Sequence, residues 1–444
     1  MPDQRLRRWT PHRFRALLRS RGPTSVRFRR RIAVITGAIA IGVVAVLFAE
    51  ASDEMGLLFS SYARHWHWLP LLTTPLGFMA LVWLTRAFVP LARGSGIPQV
   101  MAARPDPDAA TGGLIAVKTV VGKVVLTMGA ILCGASVGRE GPTVQIAAAV
   151  MGVSHRLLRI PLQGAVVIAG GAAGVAAAFN TPLAGVMFAI EELAAAYEQK
   201  VTLLVLSSIV IAGMVAQSLA GDYVYFGAIG AHMPIASALW VVPVAGIAGG
   251  AFGGLFSRIM LGLASGRHAV TRWSKAHPVA FAGLCGVVVA VLGVFTTGLT
   301  WGTGYSSARA MIIGVDAPLW FGPAKALATL ATAVAGLPGG IFAPSLAVGA
   351  GVGNLLHALF PGDPAGAVVI LGMVAYFAGV VRAPLTAVII LSETTASRGL
   401  LLPMFATAFL ADWASQQVCR DKLYHGLAQT FRQDRGPASG AGTA

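Results

Sequence analysis

The sequence predicts an all-α polytopic membrane protein whose helices are repeatedly interrupted and whose two halves repeat one another. Composition gives the first reason. Of 444 residues 56% are apolar and only 11% charged, with a mean hydropathy of +0.74, too little charge to clothe a water-soluble surface. Each crossing takes about 20 apolar residues, so the chain has room for on the order of a dozen membrane segments and for no large extramembrane catalytic domain. Glycine–proline punctuation inside the apolar runs and an internal repeat are the other two reasons.

The elements follow in order. Residues 1–31 hold eleven arginines against one acid, Asp3, and so carry much of the +16 net charge. Such a block ahead of an apolar run is the positive-inside signal and sets a cytoplasmic N-terminal tail. The arginines are not interleaved with stacking aromatics, which argues against a nucleic-acid arm. Glu50, Asp53 and Glu54 follow the first apolar run without a clean small-residue cleavage site, so that run is expected to stay in the protein rather than leave as a signal peptide. Apolar stretches recur at about 32–49, 69–90, 114–137, 143–153, 164–178, 182–194, 201–219, 238–262, 278–300, 317–336, 343–359, 366–381, 384–392 and 400–416. Several are too short to span, and Gly or Pro breaks them at 138–142, 180–182, 339–344 and 382–384. A broken helix in hydrocarbon is tolerated only where its freed N–H and C=O groups face protein or a water-filled cavity, so these breaks mark a transport pathway. Cys133, Cys285 and Cys419 are too scattered for a disulfide framework or a metal cluster.

The pentapeptide GAVVI occurs at 164–168 and again at 366–370, an offset of 202 residues. The same offset pairs Lys123 with Lys325, Thr127 with Thr329, Gly138 with Gly340, Pro142 with Pro344, Pro182 with Pro384 and Glu191 with Glu393. Two halves with interrupted helices at matching positions point to a site at their interface near the bilayer midplane. The expected division is a tail at 1–31, repeats at 32–225 and 226–425, and a short cytoplasmic C-terminal tail at 426–444.

Few acids remain inside or beside apolar runs: Glu140, Glu191, Glu192, Glu393 and Asp412. An ionisable group there costs roughly 2.5–3.5 kcal/mol and by default marks an ion path or a proton relay. For Glu393 and Asp412 a cap or an ion pair is the simpler expectation. Glu140 sits in Gly138-Arg139-Glu140-Gly141-Pro142, which has the grammar of Gly94-Ser95-Gly96-Ile97-Pro98 and of the GGIFAP run at 339–344. Glycines permit close backbone approach, and a proline then starts a helix whose N-terminus carries about half a positive charge and free N–H donors. Three such loops in one apolar chain favour an anion.

GSGIP, GREGP and GGIFAP, in this order, resemble the signature loops of the CLC family of chloride channels and chloride/proton antiporters. Asn180 to Gly185 running into Glu191-Glu192, and a late tyrosine in Asp421-Lys422-Leu423-Tyr424, extend the likeness over nearly the whole chain after the tail. The resemblance implies a CLC-type inverted repeat with many discontinuous, tilted helices, assembled as a homodimer in lipid with one pathway per subunit and needing no cofactor. It implies that Ser95, the amides of Ile341 and Phe342, and Tyr424 bind chloride. Glu140 would be the protonatable external gate and Glu192 the internal proton acceptor, with Gly94, Gly96, Pro98, Lys123, Gly138, Arg139, Gly141 and Pro142 in support and Glu191 as a supporting neighbour. Gln99 and Met101 stand where some members carry acids. Ser95 argues against a nitrate preference, and GREGP against the fluoride-selective branch. A bacterial-type inner-membrane protein with both termini cytoplasmic is expected.

The function implied is exchange of chloride, or another small anion, for protons; a passive voltage- or pH-gated chloride channel is the alternative. A remote alternative from another class is a membrane-embedded serine hydrolase, because 134–138 matches G-x-S-x-G around Ser136. That motif acts only between a strand and a helix, and here an apolar helical run is expected. His65 and His67 beside Trp66 and Trp68 fit an interfacial belt better than a metal site.

Overall fold

A computed structural model describes residues 23–433 apart from 194–198, 222–223, 228–229, 231, 266–268 and 398. Most of the arginine-rich tail therefore lies outside the described residues. The first half runs α1 (Pro23–His65), α2 (Pro70–Phe88), a 3₁₀ turn (Pro90–Ala92), α3 (Ile97–Ala103), α4 (Pro107–Ala110), α5 (Val117–Leu132), α6 (Glu140–Leu157), α7 (Gly164–Phe179), α8 (Pro182–Phe188), a π-helical turn (Ala189–Leu193) and α9 (Gln199–Ala220). The second runs α10 (Ile235–Ser265), α11 (Ala269–Ala276), α12 (Pro278–Phe295), α13 (Tyr305–Ile312), α14 (Phe321–Val334), α15 (Phe342–Leu359), α16 (Ala365–Val381), α17 (Pro384–Thr395), α18 (Leu401–Val418) and α19 (Leu423–Gln433). The expected all-α membrane fold is what forms, and six of these helices are long and apolar enough to cross a membrane.

Local chemistry sets the breaks. Prolines open α2, α8, α12 and α17, where the missing N–H has no helical acceptor to lose. Asn180 and Arg382, 202 residues apart, end α7 and α16 in the left-handed region at φ 57° and 60°. Two expectations shift. The first apolar run is the middle of a 43-residue helix that continues through Glu50, Asp53 and Glu54, because these acids sit on its exposed face. Ser136 lies not in a helix but in the connection between α5 and α6; its Oγ shares a hydrogen bond with Thr329 Oγ1 at 2.9 Å, and its N–H donates to Thr332 Oγ1. It is a buried staple between the halves, which leaves the hydrolase reading without support.

The two halves are related by a local two-fold axis. Gly138 and its mate Gly340 each donate to the other's carbonyl at 2.7 Å in an antiparallel bridge. Equivalent residues exchange both bonds only across a local two-fold axis. The axis recurs where Glu191 accepts from the N–H groups of Leu385 and Thr386 at 3.0 and 2.6 Å, while Glu393 accepts from Leu183 and Ala184 at 3.2 and 2.8 Å. Each half thus caps a helix of the other.

α16 is buried around its whole circumference, as is nearly all of α7, and these two apolar helices form the centre. α2, α9, α10, α12 and α18 surround them and turn large apolar side chains outward, among them Leu72, Leu203, Leu239, Phe295 and Phe409. That is the surface a bilayer requires.

Candidate functional site

Backbone bonds gather the three glycine–proline loops. Gly94 N–H donates to Leu337 O at 3.1 Å and Gly339 N–H to Gly94 O at 3.1 Å, beside the Gly138–Gly340 bridge. The starts of α3, α6 and α15 therefore meet at one place. None of their N-caps, Gly96, Arg139 and Ile341, uses its side chain to satisfy a first-turn amide. Gly141 is needed for this convergence: a Cβ there would collide with Ser95 Oγ and lie 2.8 Å from Ser95 O.

Side chains complete the site. Ser95 Oγ and Tyr424 Oη are buried and have no full hydrogen-bond partner among the described residues, nor has either carboxylate oxygen of Glu140. Buried polar atoms are nearly always paired, so this concentration of unpaired ones singles out the site. Tyr424 comes from α19, and its ring lies 5.9 Å from that of Phe342, which also packs on Phe179, Phe188 and Phe377. The Glu140 carboxylate lies against Gly138 and faces the Ala343 amide without reaching hydrogen-bond geometry. Two hydroxyls and the electropositive ends of helices, with no lysine or arginine head group at the centre, can hold a small anion by partial charges and release it.

Ser95, Ile341 and Tyr424 line a cavity of about 530 Å³ whose wall also carries Arg86, Arg93 and Lys275. Among the described residues lining it there is no acid. Clefts of one sign raise the local concentration of the opposite ion.

The supporting residues divide by what they touch. Lys123, fully buried on α5, donates to Ala92 O and Gly94 O, both at 2.6 Å, and so pins the Ser95 loop. Its repeat mate Lys325 does the same for the loop at 300–302, with Nζ 2.9 Å from Thr300 O and 2.7 Å from Gly302 O. Gln99 also ties the Ser95 loop, accepting from Gly96 N–H and donating to Arg93 O at 2.6 Å, so an amide there braces the backbone rather than offering a charge. Gly94, Gly96, Pro98, Gly138 and Pro142 belong to the same knot. Arg139 turns away from the centre, bonding Asp53 at 2.6 Å and Ala49 O on α1. Asp412 pairs with Arg382 at 3.2 Å.

Glu191 and Glu192 are neighbours with opposite fates. The π-helical turn offsets them, a local geometry frequent at functional sites. Glu191 is spent on the α17 N-terminus, where Thr386 Oγ1 also donates to it at 2.7 Å. Glu192 points into the protein toward α19, its side chain 0% exposed, with His425 Nδ1 3.5 Å from its Oε1. Sequence reasoning missed His425, whose only signal was its place next to Tyr424, and Asp53, which looked like one more surface acid. The rings of His65 and His67 make edge contacts with Trp66 and Trp68 on an exposed stretch.

The family model described as voltage gated chloride channel matches residues 76–416. The chain is 31% identical to the H(+)/Cl(-) exchange transporter ClcA of Klebsiella pneumoniae, over 94% of this chain and 90% of that one. Its fold is similar to that of a slow cyanobacterial Cl-/H+ antiporter, with a TM-score of 0.79 and 24% identity over 92% of this chain and 99% of that one. It is also similar to a CLC-type fluoride/proton antiporter, with a TM-score of 0.74 and 21% identity over 95% and 99% of the two chains. With the family match spanning most of the chain, and with three helix starts meeting around Ser95, Glu140 and Tyr424, the chain belongs to the CLC family of voltage gated chloride channel proteins.

Proposed function

We propose that this protein exchanges chloride for protons across the membrane. The observation that carries the proposal is the presence of two buried carboxylates near one donor set: Glu140 at the start of α6 among the converging helix starts, and Glu192 beside His425, the neighbour of Tyr424 in the first turn of α19. Chloride binds to Ser95 Oγ, Tyr424 Oη and the amides of Ile341 and Phe342. Glu140, ionised, competes with chloride for the positive helix ends; protonated, it releases them. Glu192 supplies the second protonatable group that exchange needs and a passive pore does not. The 31% identity to a protein named as an H(+)/Cl(-) exchange transporter supports this over the channel alternative.

The protein sits in the inner membrane of a bacterium with its termini in the cytoplasm, consistent with Arg27, Arg29, Arg30 and Arg31 at the head of α1. The repeats divide near residue 225, and two copies pair through the segments near 182–219 and 384–416, which expose Leu183, Met214, Leu402 and Trp413. The deciding experiment uses purified protein in liposomes with simultaneous chloride and pH electrodes. An outward chloride gradient should draw protons uphill; chloride flux without proton movement rejects exchange in favour of the channel.

A further inference from the structure

Glu192 presents a delivery problem. Its side chain is fully buried, and neither oxygen has a full hydrogen-bond partner among the described residues. A group that exchanges protons with bulk water needs a path to it. A titratable group stands beside it, His425 on the first turn of α19, with Nδ1 3.5 Å from Glu192 Oε1 and its own side chain 52% exposed. A normal N–H···O distance is about 2.7–3.2 Å, so a few tenths of an ångström close the contact. One ring nitrogen thus faces the carboxylate while half the side chain meets solvent.

We propose that His425 is the proton relay between bulk water and the Glu192 carboxylate, an inference that rests on the exchange reading above. With Nδ1–H directed at Glu192, the neutral ring takes a proton at Nε2 from hydronium or a buffer acid. The Nδ1–H bond then breaks as an Oε1–H bond forms, leaving Glu192 protonated and the ring neutral with its proton on Nε2. The ring resets by returning the Nε2 proton to water and regaining one at Nδ1, so each cycle moves one proton from water to the carboxylate. Imidazole suits this because either of its two ring nitrogens can carry the proton, so it can take one up on one side and give one up on the other.

The charged groups around the pair leave this route open. On the π-helical turn Glu191 is committed to α17; at the end of α3 the Arg104 guanidinium donates to Leu193 O at 3.1 Å. Lys422, on the approach to α19, is a charged group within electrostatic range of Glu192. From the helices packed on α19, Arg258 of α10 lies toward Cys419, and Arg382 at the end of α16 is held by Asp412.

The test is paired proton and chloride flux on full-length protein in liposomes, for wild type, His425→Gln and His425→Ala, at about pH 5.5 and about pH 8 on the His425 side. Relay by His425 predicts that both variants lose at least about tenfold in proton turnover at the alkaline pH and less at the acid pH, where the higher proton concentration partly offsets the missing relay. Imidazole added on that side should restore His425→Ala. Wild-type turnover in both variants overturns the relay, as does a loss that is equal at both pH values and unmoved by imidazole, which a purely structural histidine would give. Wild type that moves no protons at all would instead defeat the exchange reading itself.

Discussion

Reciprocal capping by Glu191 and Glu393 yields a quantitative prediction. Replacing Glu191 by Gln keeps one carbonyl oxygen and converts the other into an NH₂ group. The retained oxygen best serves Thr386, whose N–H and Oγ1 lie at 2.6 and 2.7 Å, so the Leu385 N–H at 3.0 Å is left facing a donor. A hydrogen bond to a charged group contributes about 1.5–3 kcal/mol, and a half-buried donor left unpaired costs a further 1–3. Loss of the negative charge at a helix N-terminus adds a few tenths. Glu191→Gln should therefore cost about 3–6 kcal/mol. Glu393→Gln loses only the longer 3.2 Å bond to Leu183, made at the most exposed of these positions, and should cost less, about 1–2 kcal/mol. Thermal unfolding of the purified protein in detergent measures the order: both midpoints fall, that of Glu191→Gln further. Equal shifts, or a larger one for Glu393→Gln, would refute the reasoning from hydrogen-bond number and exposure.

Three more expectations follow from the site. Glu140→Gln or Glu140→Ala should abolish proton coupling while chloride still passes, and Glu192→Gln should impair proton transport selectively; electrode-recorded fluxes in liposomes check both, and intact coupling in either contradicts its assigned role. Gly141→Ala drives a methyl group into Ser95 Oγ, an overpacking of about 1–3 kcal/mol, so chloride affinity measured by calorimetry should weaken by roughly tenfold. Lys123→Met frees the loop that carries Ser95, whereas Lys325→Met frees its counterpart at 300–302; chloride affinity should drop for the first and stay near wild type for the second, and equal drops would show that the pinned loop is not what positions Ser95.

The site was legible in the sequence to different depths. The three glycine–proline loops announce their helix starts because a proline and its neighbouring glycines act within one turn, and Gly138 to Pro142 does so whatever surrounds it. Tyr424 was found only through family likeness, since a lone tyrosine near a chain end carries no local signal. Lys123 and Lys325 were visible as a pair but not as loop pins, because each bonds carbonyls more than twenty residues away. His425 was invisible, as its meaning depends wholly on which side chain stands opposite.

By itself the sequence determined the solvent this protein folds in, the places where its helices break and the existence of two matching halves, since hydropathy, proline and periodicity act through neighbours along the chain. Only the tertiary structure decided that the halves meet across a two-fold axis, that Ser95 and Tyr424 line one cavity beside the helix start that carries Glu140, and that of two adjacent glutamates Glu191 caps a helix 194 residues away while Glu192 is buried beside His425. The physical reason is that the fate of a charge in a membrane protein depends on the donor that meets it in space, and a two-fold fold brings those donors from the other half.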